Sequence, residues 1–307
     1  MRETEARRVK MDHQKTSVCV LDASSYVGYW ILKGLLNRGY NVHAAILSNG
    51  ETEIVRKIRE MERVEERLVV FTVDVLDYHS ILVALKGCSA LFCSLDNPDG
   101  YDDKMVDFEV RGAINVVEAC AQTETIEKTI FSSSITAAIW RENICLEKDV
   151  DEKSWSDPEF CRKMKLWYAL AKTLSEKDAW ALAMDRMLNM VSINAGLVLG
   201  PGVAQQNSGP TMFYLKGAAE MYENGVLAFV YVNFLADIHI QAFEDRSTNG
   251  RYFCFNQVIN TDEEAMKLAE ALSPLISITP RYQCQGRMTY TERLRKKKLH
   301  KLLEIAA

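Results

Sequence analysis

Positive charge is not in excess in this chain. Across 307 residues, Lys plus Arg number 37 against 42 Asp plus Glu, a formal net charge of -5. That balance offers no general attraction to nucleic acid or to an anionic membrane surface. Long apolar runs are missing too. None approaches the ~20 residues that span a bilayer, and the opening MRETEARRVKMDHQK is too charged for the apolar centre of a signal peptide. The eight cysteines (Cys19, Cys88, Cys93, Cys120, Cys145, Cys161, Cys254, Cys284) contain no CxxC pair, so no metal site is expected. Cys19 in VCVL and Cys120 in VVEAC lie inside apolar patterns, which predicts buried reduced thiols and a cytoplasmic protein.

What is there is apolar material for a sizeable core, 48% of the residues, arranged in alternation. SVCVL (17–21) reads as a buried parallel strand. A helical pattern follows from Val27 to Arg38, with Val27, Ile31, Leu32, Leu35 and Leu36 on one face. NVHAAIL (41–47), RLVVFTVDV (67–75), SALFCSL (89–95), KTIFSSS (128–134) and MVSINAGLVLG (190–200) read as further strands, separated by helical patterns. The last of these patterns is one long helix over 160–185. Strand and helix alternating over short connections predict an α/β, Rossmann-type doubly wound parallel sheet.

The expected organisation is a charged N-terminal tail (1–16), a dinucleotide-binding domain (17–200), and a smaller substrate-binding lobe (201–307). That lobe is expected to carry helices near 211–223, 234–245 and 262–272. It ends in a basic amphipathic helix, TERLRKKKLHKLLE, expected to be solvated. No oligomeric state is implied.

Glycine is scarce where a dinucleotide turn uses it most. Such a turn places glycines for a tight bend, for close approach to pyrophosphate, and for helix–strand packing. LDASSYVG puts Asp22, Ser25 and Gly28 at those positions. The Asp22 carboxylate would stand at the helix N-terminus, occupying the positive dipole or repelling phosphate. The Ser25 hydroxyl could donate to a phosphate oxygen. At the end of the second strand, Ile46–Leu47–Ser48–Asn49 carries neither the acid of an NAD site nor the Arg of an NADP site. Arg56, Lys57 and Arg59 follow as candidates for a 2′-phosphate, or as a solvated helix face. Asp74 stands after the third strand, a position suited to an adenine-amine acceptor.

YxxxK occurs at Tyr168–Lys172, an i,i+4 spacing that puts both side chains on one helix face. A lysine cation stabilises phenolate and lowers a tyrosine pKa toward working pH. A second copy, Tyr29–Lys33, lies in the helix after the phosphate turn and reads as structural. Tyr168–Lys172 follows a strand that ends in Ser132–Ser133–Ser134, where a hydroxyl can bond a substrate carbonyl. Asn115, in an apolar helix, is a candidate fourth member holding a water relay. Trp140, Trp155, Trp167 and Phe213 are candidates for an apolar pocket.

Taken together, SYVGYWILKGLLNRGYNVHA, VDVLD, NVVEAC, FSSSITAA, WSDPEFC, WYALAK and LVLGP resemble the extended short-chain dehydrogenase/reductases of plants. The similarity is to the dihydroflavonol reductase and cinnamoyl-CoA reductase group, over about residues 17–260. The resemblance implies an NAD(P)-dependent oxidoreductase that reduces the carbonyl of an aromatic, phenylpropanoid-like small molecule, with NADP as cofactor and NAD the alternative. It gives Ser134 the carbonyl, Tyr168 the proton, and Lys172 the tyrosine and the nicotinamide ribose. It places Asp22, Ser24, Ser25, Tyr26, Val27, Gly28, Leu47, Asp74, Val75, Leu95, Ala195 and Leu197 along the cofactor.

The departures are specific. Ala169 stands where the cinnamoyl-CoA reductases have a cysteine, leaving Cys161 without that partner. Cys93–Ser94–Leu95–Asp96 replaces an HxAS-like stretch. Ala195 replaces a proline, and Tyr231, Asn233 and Phe234 precede His239 in place of VDVRD. The rival reading is a pseudoenzyme, a Rossmann scaffold kept for binding or regulation. A nucleotide-sugar epimerase or dehydratase shares the scaffold but not the WSDPEFC and WYALAK stretches.

Overall fold

The computed structural model of the protein describes residues 16–47, 52–97, 100–142, 149–273 and 291–306. The N-terminal tail up to residue 15, Ser48 and Asn49, and Cys145 and Cys284 lie outside the described residues. From Ser17 the chain runs β1 (Ser17–Leu21), α1 (Tyr26–Asn37), β2 (Asn41–Leu47), α2 (Glu53–Glu62), β3 (Leu68–Val73), α3 (Tyr78–Leu85) and β4 (Ala90–Cys93). It continues through α4 (Asp103–Gln122), β5 (Lys128–Ser134), α5 (Thr136–Ile139), α6 (Pro158–Lys163), α7 (Trp167–Asp185) and β6 (Met190–Ala195). Then come β7 (Leu197–Leu199), α8 (Val203–Gln206), α9 (Ser208–Tyr214), α10 (Ala218–Glu223), β8 (Ala228–Tyr231) and α11 (Val232–Glu244). The last elements are β9 (Gly250–Cys254), β10 (Gln257–Val258), α12 (Asp262–Ala271) and α13 (Lys297–Ala306).

Seven strands form a parallel sheet in the order β3-β2-β1-β4-β5-β6-β9. β1 shows why. Val18 and Val20 face a core shared with α1 and α11, while Cys19 and Leu21 face one shared with α3, α4 and α7. A strand covered on both faces must be apolar throughout, and SVCVL is. The strand order reverses between β1 and β4, which opens a crevice at the strands' C-terminal ends. The six described cysteines are buried and unbridged.

Four expectations needed correction. The helix read over 160–185 is two. Asp157 caps α6 ahead of Pro158, and Lys165 then takes φ 54 while Leu166 N–H donates to the Cys161 carbonyl at 2.8 Å. That is a left-handed helix cap made without glycine, so composition did not signal the break. Gly217 (φ 90) likewise splits the helix expected at 211–223 into α9 and α10.

Residues 201–307 are not a lobe of their own. β7, β8 and β10 form a small second sheet, but α11 and β9 return to the main one. α11 lies beside α1, tied by Arg38–Asp237 at 3.0 Å and by the Tyr40 hydroxyl donating to Glu244 at 3.0 Å. β9 pairs with β6, whose outer edge would otherwise be an open row of backbone donors and acceptors. The basic tail helix, α13, is packed rather than solvated, with Leu299 and Leu302 buried in the core beside α11. Each such leucine contributes about 2 kcal/mol of apolar burial.

Candidate active site

Three serines end β5, and each faces differently. The Ser132 hydroxyl meets His239 Nε2 of α11 at 2.8 Å, while His239 Nδ1 lies 2.8 Å from the Leu235 carbonyl. Burial pushes that imidazole down to about 4, against the pull of the Leu235 carbonyl, so it is neutral. Ser133 donates to Glu176 of α7 at 2.8 Å. Glu176 also accepts from Ser192, Asn194 and Arg251 at 2.6, 2.7 and 2.9 Å. This buried hub fixes α7 against β5, β6 and β9. One and two turns earlier on the same helix, Lys172 and Tyr168 are thereby aimed at the crevice. The Ser134 hydroxyl lies at the end of β5, 2.9 Å from the Thr136 hydroxyl, and near enough to the Tyr168 phenol to oppose the rise in its pKa that burial causes. Ser134 of β5 is thus brought beside Tyr168 and Lys172, which lie one turn apart on α7.

The electrostatics differ from expectation. Lys172 Nζ donates to the Leu95 carbonyl at 2.5 Å and pairs with Asp96 at 2.9 Å and Glu109 at 3.1 Å. Burial alone would lower the Lys172 pKa, but Asp96 and Glu109 outweigh it and hold it well above the ordinary value. Burial pushes the Glu109 carboxyl up, and Lys172 pulls it back. For Tyr168, burial pushes the phenol far up and Lys172 opposes it, while Asp96 and Glu109 reinforce the rise. The lysine was expected to bring that phenol toward working pH. Its charge is instead compensated, and the phenol stays protonated.

Asn115 does not join this group. Its amide donates to the Val75 carbonyl at 2.9 Å, a satisfied bond on another face of α4. Glu109, six residues earlier on that helix, reaches Lys172 in its place. Glu109, Tyr101 and the Asp96 carboxylate belong to this group without having been expected there. The available signal was a lone acid on the buried stripe Val106, Glu109, Ala113, Val116.

Two cavities share Leu95 and Asp96. A small one against the acid–base residues is lined by Val27, Ser132, Tyr168, Lys172, Ala195, Leu197 and His239, among others. A larger one of about 530 Å³ is lined by Leu47, Val75, Tyr101, Phe108, Glu109 and Phe213, among others. The expected Val27, Leu47, Val75, Leu95, Ala195 and Leu197 thus line one crevice. Tyr26 and Asp74 turn elsewhere. The Tyr26 hydroxyl donates to the Pro201 carbonyl at 3.0 Å, and Asp74 is exposed, accepting from Leu76 N–H at 2.9 Å. Lys57 pairs with Glu53 at 2.6 Å on the surface of α2.

At the phosphate turn the substituted side chains close on their own backbone. Asp22 Oδ1 accepts from Ser24 N–H at 2.7 Å, the Ser24 hydroxyl at 2.5 Å and Leu47 N–H at 3.4 Å. Burial pushes its carboxyl up to about 6, against the Ser24 bonds that hold it down. The Ser25 hydroxyl caps α1, accepting from Gly28 N–H at 3.0 Å and donating to the Asp22 carbonyl at 2.9 Å. Gly28 alone keeps its expected duty, since a Cβ there would lie 1.9 Å from the Asp22 carbonyl oxygen.

Of the aromatics expected to line a pocket, Phe213 stands at a cavity wall and the tryptophans do not. Trp140 is buried in the core, and Trp155 lies under the Arg251 guanidinium at 3.7 Å. Tyr101 instead stands edge-on to Tyr168 and Phe213, with ring centroids 5.0 and 5.6 Å apart. No group of His, Cys, Asp and Glu able to hold a metal occurs among the described residues, and none of their helices is long and apolar enough to cross a membrane.

Known proteins share this architecture. The family model of the 3-beta hydroxysteroid dehydrogenase/isomerase family matches residues 19–267. Cinnamoyl-CoA reductase 1 of Petunia hybrida is 35% identical over 246 residues, covering 79% of this chain and 73% of that one. Vestitone reductase from alfalfa (Medicago sativa L.) superposes with a TM-score of 0.70 at 24% identity, covering 94% of this chain and 92% of its own. Yeast methylglyoxal/isovaleraldehyde reductase Gre2, complexed with NADPH, gives 0.73 at 19%, covering 94% and 93%. The two structures speak to the fold, and the sequence matches to descent. The chain belongs to the 3-beta hydroxysteroid dehydrogenase/isomerase family, as a cinnamoyl-CoA-reductase-like, NAD(P)-dependent oxidoreductase of the short-chain dehydrogenase/reductase fold.

Proposed function

We propose that this protein reduces the carbonyl of a small aromatic substrate with NADPH, Tyr168 giving the proton. The observation that carries the reading is that Tyr168 and Lys172 line the crevice, with Ser134 beside the phenol at the end of β5. A dinucleotide fits that crevice. Leu47, Val75 and Leu95 offer an apolar end in the cavity of about 530 Å³, which adjoins the Tyr168–Lys172 cavity through Leu95 and Asp96. When bound, the cofactor supplies hydride. The chain supplies the rest. Ser134 holds the carbonyl oxygen, and Tyr168 donates its phenolic proton to that oxygen as negative charge develops there. Lys172 stabilises the phenolate left behind. The phenol enters the step protonated, and Lys172 offsets part of the rise that burial causes. Tyr101 and Phe213 present ring edges of the kind an aryl group packs against. The six described cysteines, buried and unbridged, suit the reducing cytoplasm.

The relatives above are named reductases, which lends the non-catalytic alternative no support. The test is a titration of the pure protein with NADPH and NADH, followed by nicotinamide fluorescence, then turnover of aryl aldehydes, aryl ketones and cinnamoyl-CoA. Binding of NADPH together with oxidation of it by an aryl carbonyl supports the reading. No binding at millimolar cofactor sinks it.

A further inference from the structure

The partners of Lys172 are more than an acid–base lysine needs. An ammonium has three N–H donors, and Leu95, Asp96 and Glu109 supply an acceptor for each, at 2.5, 2.9 and 3.1 Å. No donor is left over for a ligand. The two carboxylates are held very differently. Glu109 has a side chain 6% exposed, and its oxygens also accept from the Tyr101 hydroxyl at 2.9 Å and the Ser175 hydroxyl at 3.2 Å. It is pinned by groups from the loop before α4 and from α7. Asp96 is 18% exposed, lines both cavities, and among the described residues bonds only Lys172.

We infer that the two acids divide the work at Lys172: Glu109 is a permanent anchor that positions the ammonium, and Asp96 is an exchangeable counter-ion that gives up its place when a dinucleotide binds. The inference rests on the reductase reading and deepens it. A ligand hydroxyl can take the Asp96 position because that carboxylate already faces the cavity, so leaving Lys172 does not strand it in an apolar core. Glu109 has no such exit. Breaking its contact would leave an unpaired acid among Tyr101, Ser175 and the apolar stripe of α4, which is far costlier. Asp96 also puts negative charge beside the path of an anionic cofactor, so its two effects have the same sign. It competes for Lys172, and it repels the ligand.

Glu109 has a second consequence, at Tyr168. The groups facing that phenol are Lys172 on its own helix, Ser134 from β5, Asp96 from the loop after β4, Tyr101 and Glu109 from that loop and α4, and Tyr214 from α9. Lys172 is the one cation among them. While Glu109 compensates it, the phenol is held protonated. Without Glu109 the cation acts on Tyr168 unopposed on that side.

The test uses Asp96→Asn, Asp96→Ala and Glu109→Gln beside the wild type. NADPH affinity is read by nicotinamide fluorescence, and turnover is read as a pH profile. Both Asp96 variants should bind NADPH at least threefold more tightly than the wild type. In Glu109→Gln the alkaline loss of turnover should move to lower pH. A merely structural Glu109 would lower the melting temperature and leave that limb in place. Unchanged or weaker NADPH binding in the Asp96 variants overturns the exchange. An unmoved alkaline limb in a folded Glu109→Gln overturns the anchor. Failure of the wild type itself to bind NADPH is a different result, and overturns the reductase reading beneath both.

Discussion

The phosphate turn and the acid–base corner, the two ends of the proposed cofactor site, have closed their candidate donors by opposite means. At the phosphate turn the closing groups are neighbours in sequence. Asp22 takes Ser24 N–H two residues away, and Ser25 takes Gly28 N–H three residues away. At the acid–base corner they come from afar, since Glu109 and Asp96 lie 63 and 76 residues from Lys172 in the numbering of the chain. Local closure makes a loop self-sufficient and leaves the rest of the fold indifferent to it. Long-range closure ties α4, α7 and the β4 edge together, so altering it is felt in the chemistry. The turn should therefore tolerate change in function more than in stability, and the corner the reverse.

The largest effect expected is at the corner. Tyr168→Phe removes the proposed proton donor and should lower turnover on the order of 10³-fold, while NADPH affinity stays within about twofold. A fall in affinity as large as the fall in rate would mean that Tyr168 is part of the binding scaffold, and the contrast would fail. Next in size is a stability effect at the turn. Gly28→Ala places a Cβ 1.9 Å from the Asp22 carbonyl oxygen and 2.9 Å from Ser25 Oγ, so backbone must move. Denaturant unfolding should show a loss of about 3 kcal/mol. A neutral result would mean that the turn is looser than its hydrogen bonds imply.

The contrast between local and long-range also explains what could be read in the sequence. The alternation from β1 to β6 follows from apolar runs and turn spacing, and Tyr168–Lys172 from an i,i+4 repeat on one helix. Both are local patterns. The return of α11 and β9 to the main sheet is not local, because GRYFC gives no hint that its partner is β6. The acids around Lys172 were missed for the same cause, since nothing near Glu109 in sequence announces a lysine 63 residues on. Asn115 drew attention as a polar residue in an apolar helix, yet a single carbonyl, Val75, satisfies it. The end of α6 was hidden because Lys165 adopts a left-handed conformation that glycine would have advertised.

Asp22 sets the pH dependence of the turn. Its carboxyl ordinarily titrates near 3.8, and burial raises it to about 6 in the fold. Between those values the folded protein holds a proton that the unfolded chain has released, so stability is greater on the acid side and falls as pH rises through the window. Asp22→Asn removes that dependence. Its advantage over the wild type should grow from about pH 4 to pH 7 by at most about 3 kcal/mol, read as the difference between two denaturation curves at each pH. A constant difference across that range would show that the carboxylate is not buried in the manner described.

The smallest effect is the most informative, because its two readouts move in opposite directions. Ser25→Ala removes the α1 cap on Gly28 N–H and the bond to the Asp22 carbonyl. Loss of such a cap costs about 1 kcal/mol, a drop of roughly 2 °C in melting temperature for a chain of this size. The same change leaves an N–H donor at a helix N-terminus with no internal acceptor, and a pyrophosphate oxygen is an acceptor that such a donor readily takes. NADPH affinity should therefore rise by a few fold while stability falls. If both fall together, the Ser25 hydroxyl serves the ligand directly, and the turn is a built phosphate site whose serine stands in for glycine. If stability falls and affinity is unchanged, α1 is closed to phosphate whichever side chain stands at 25, and binding is carried by the acid–base end alone.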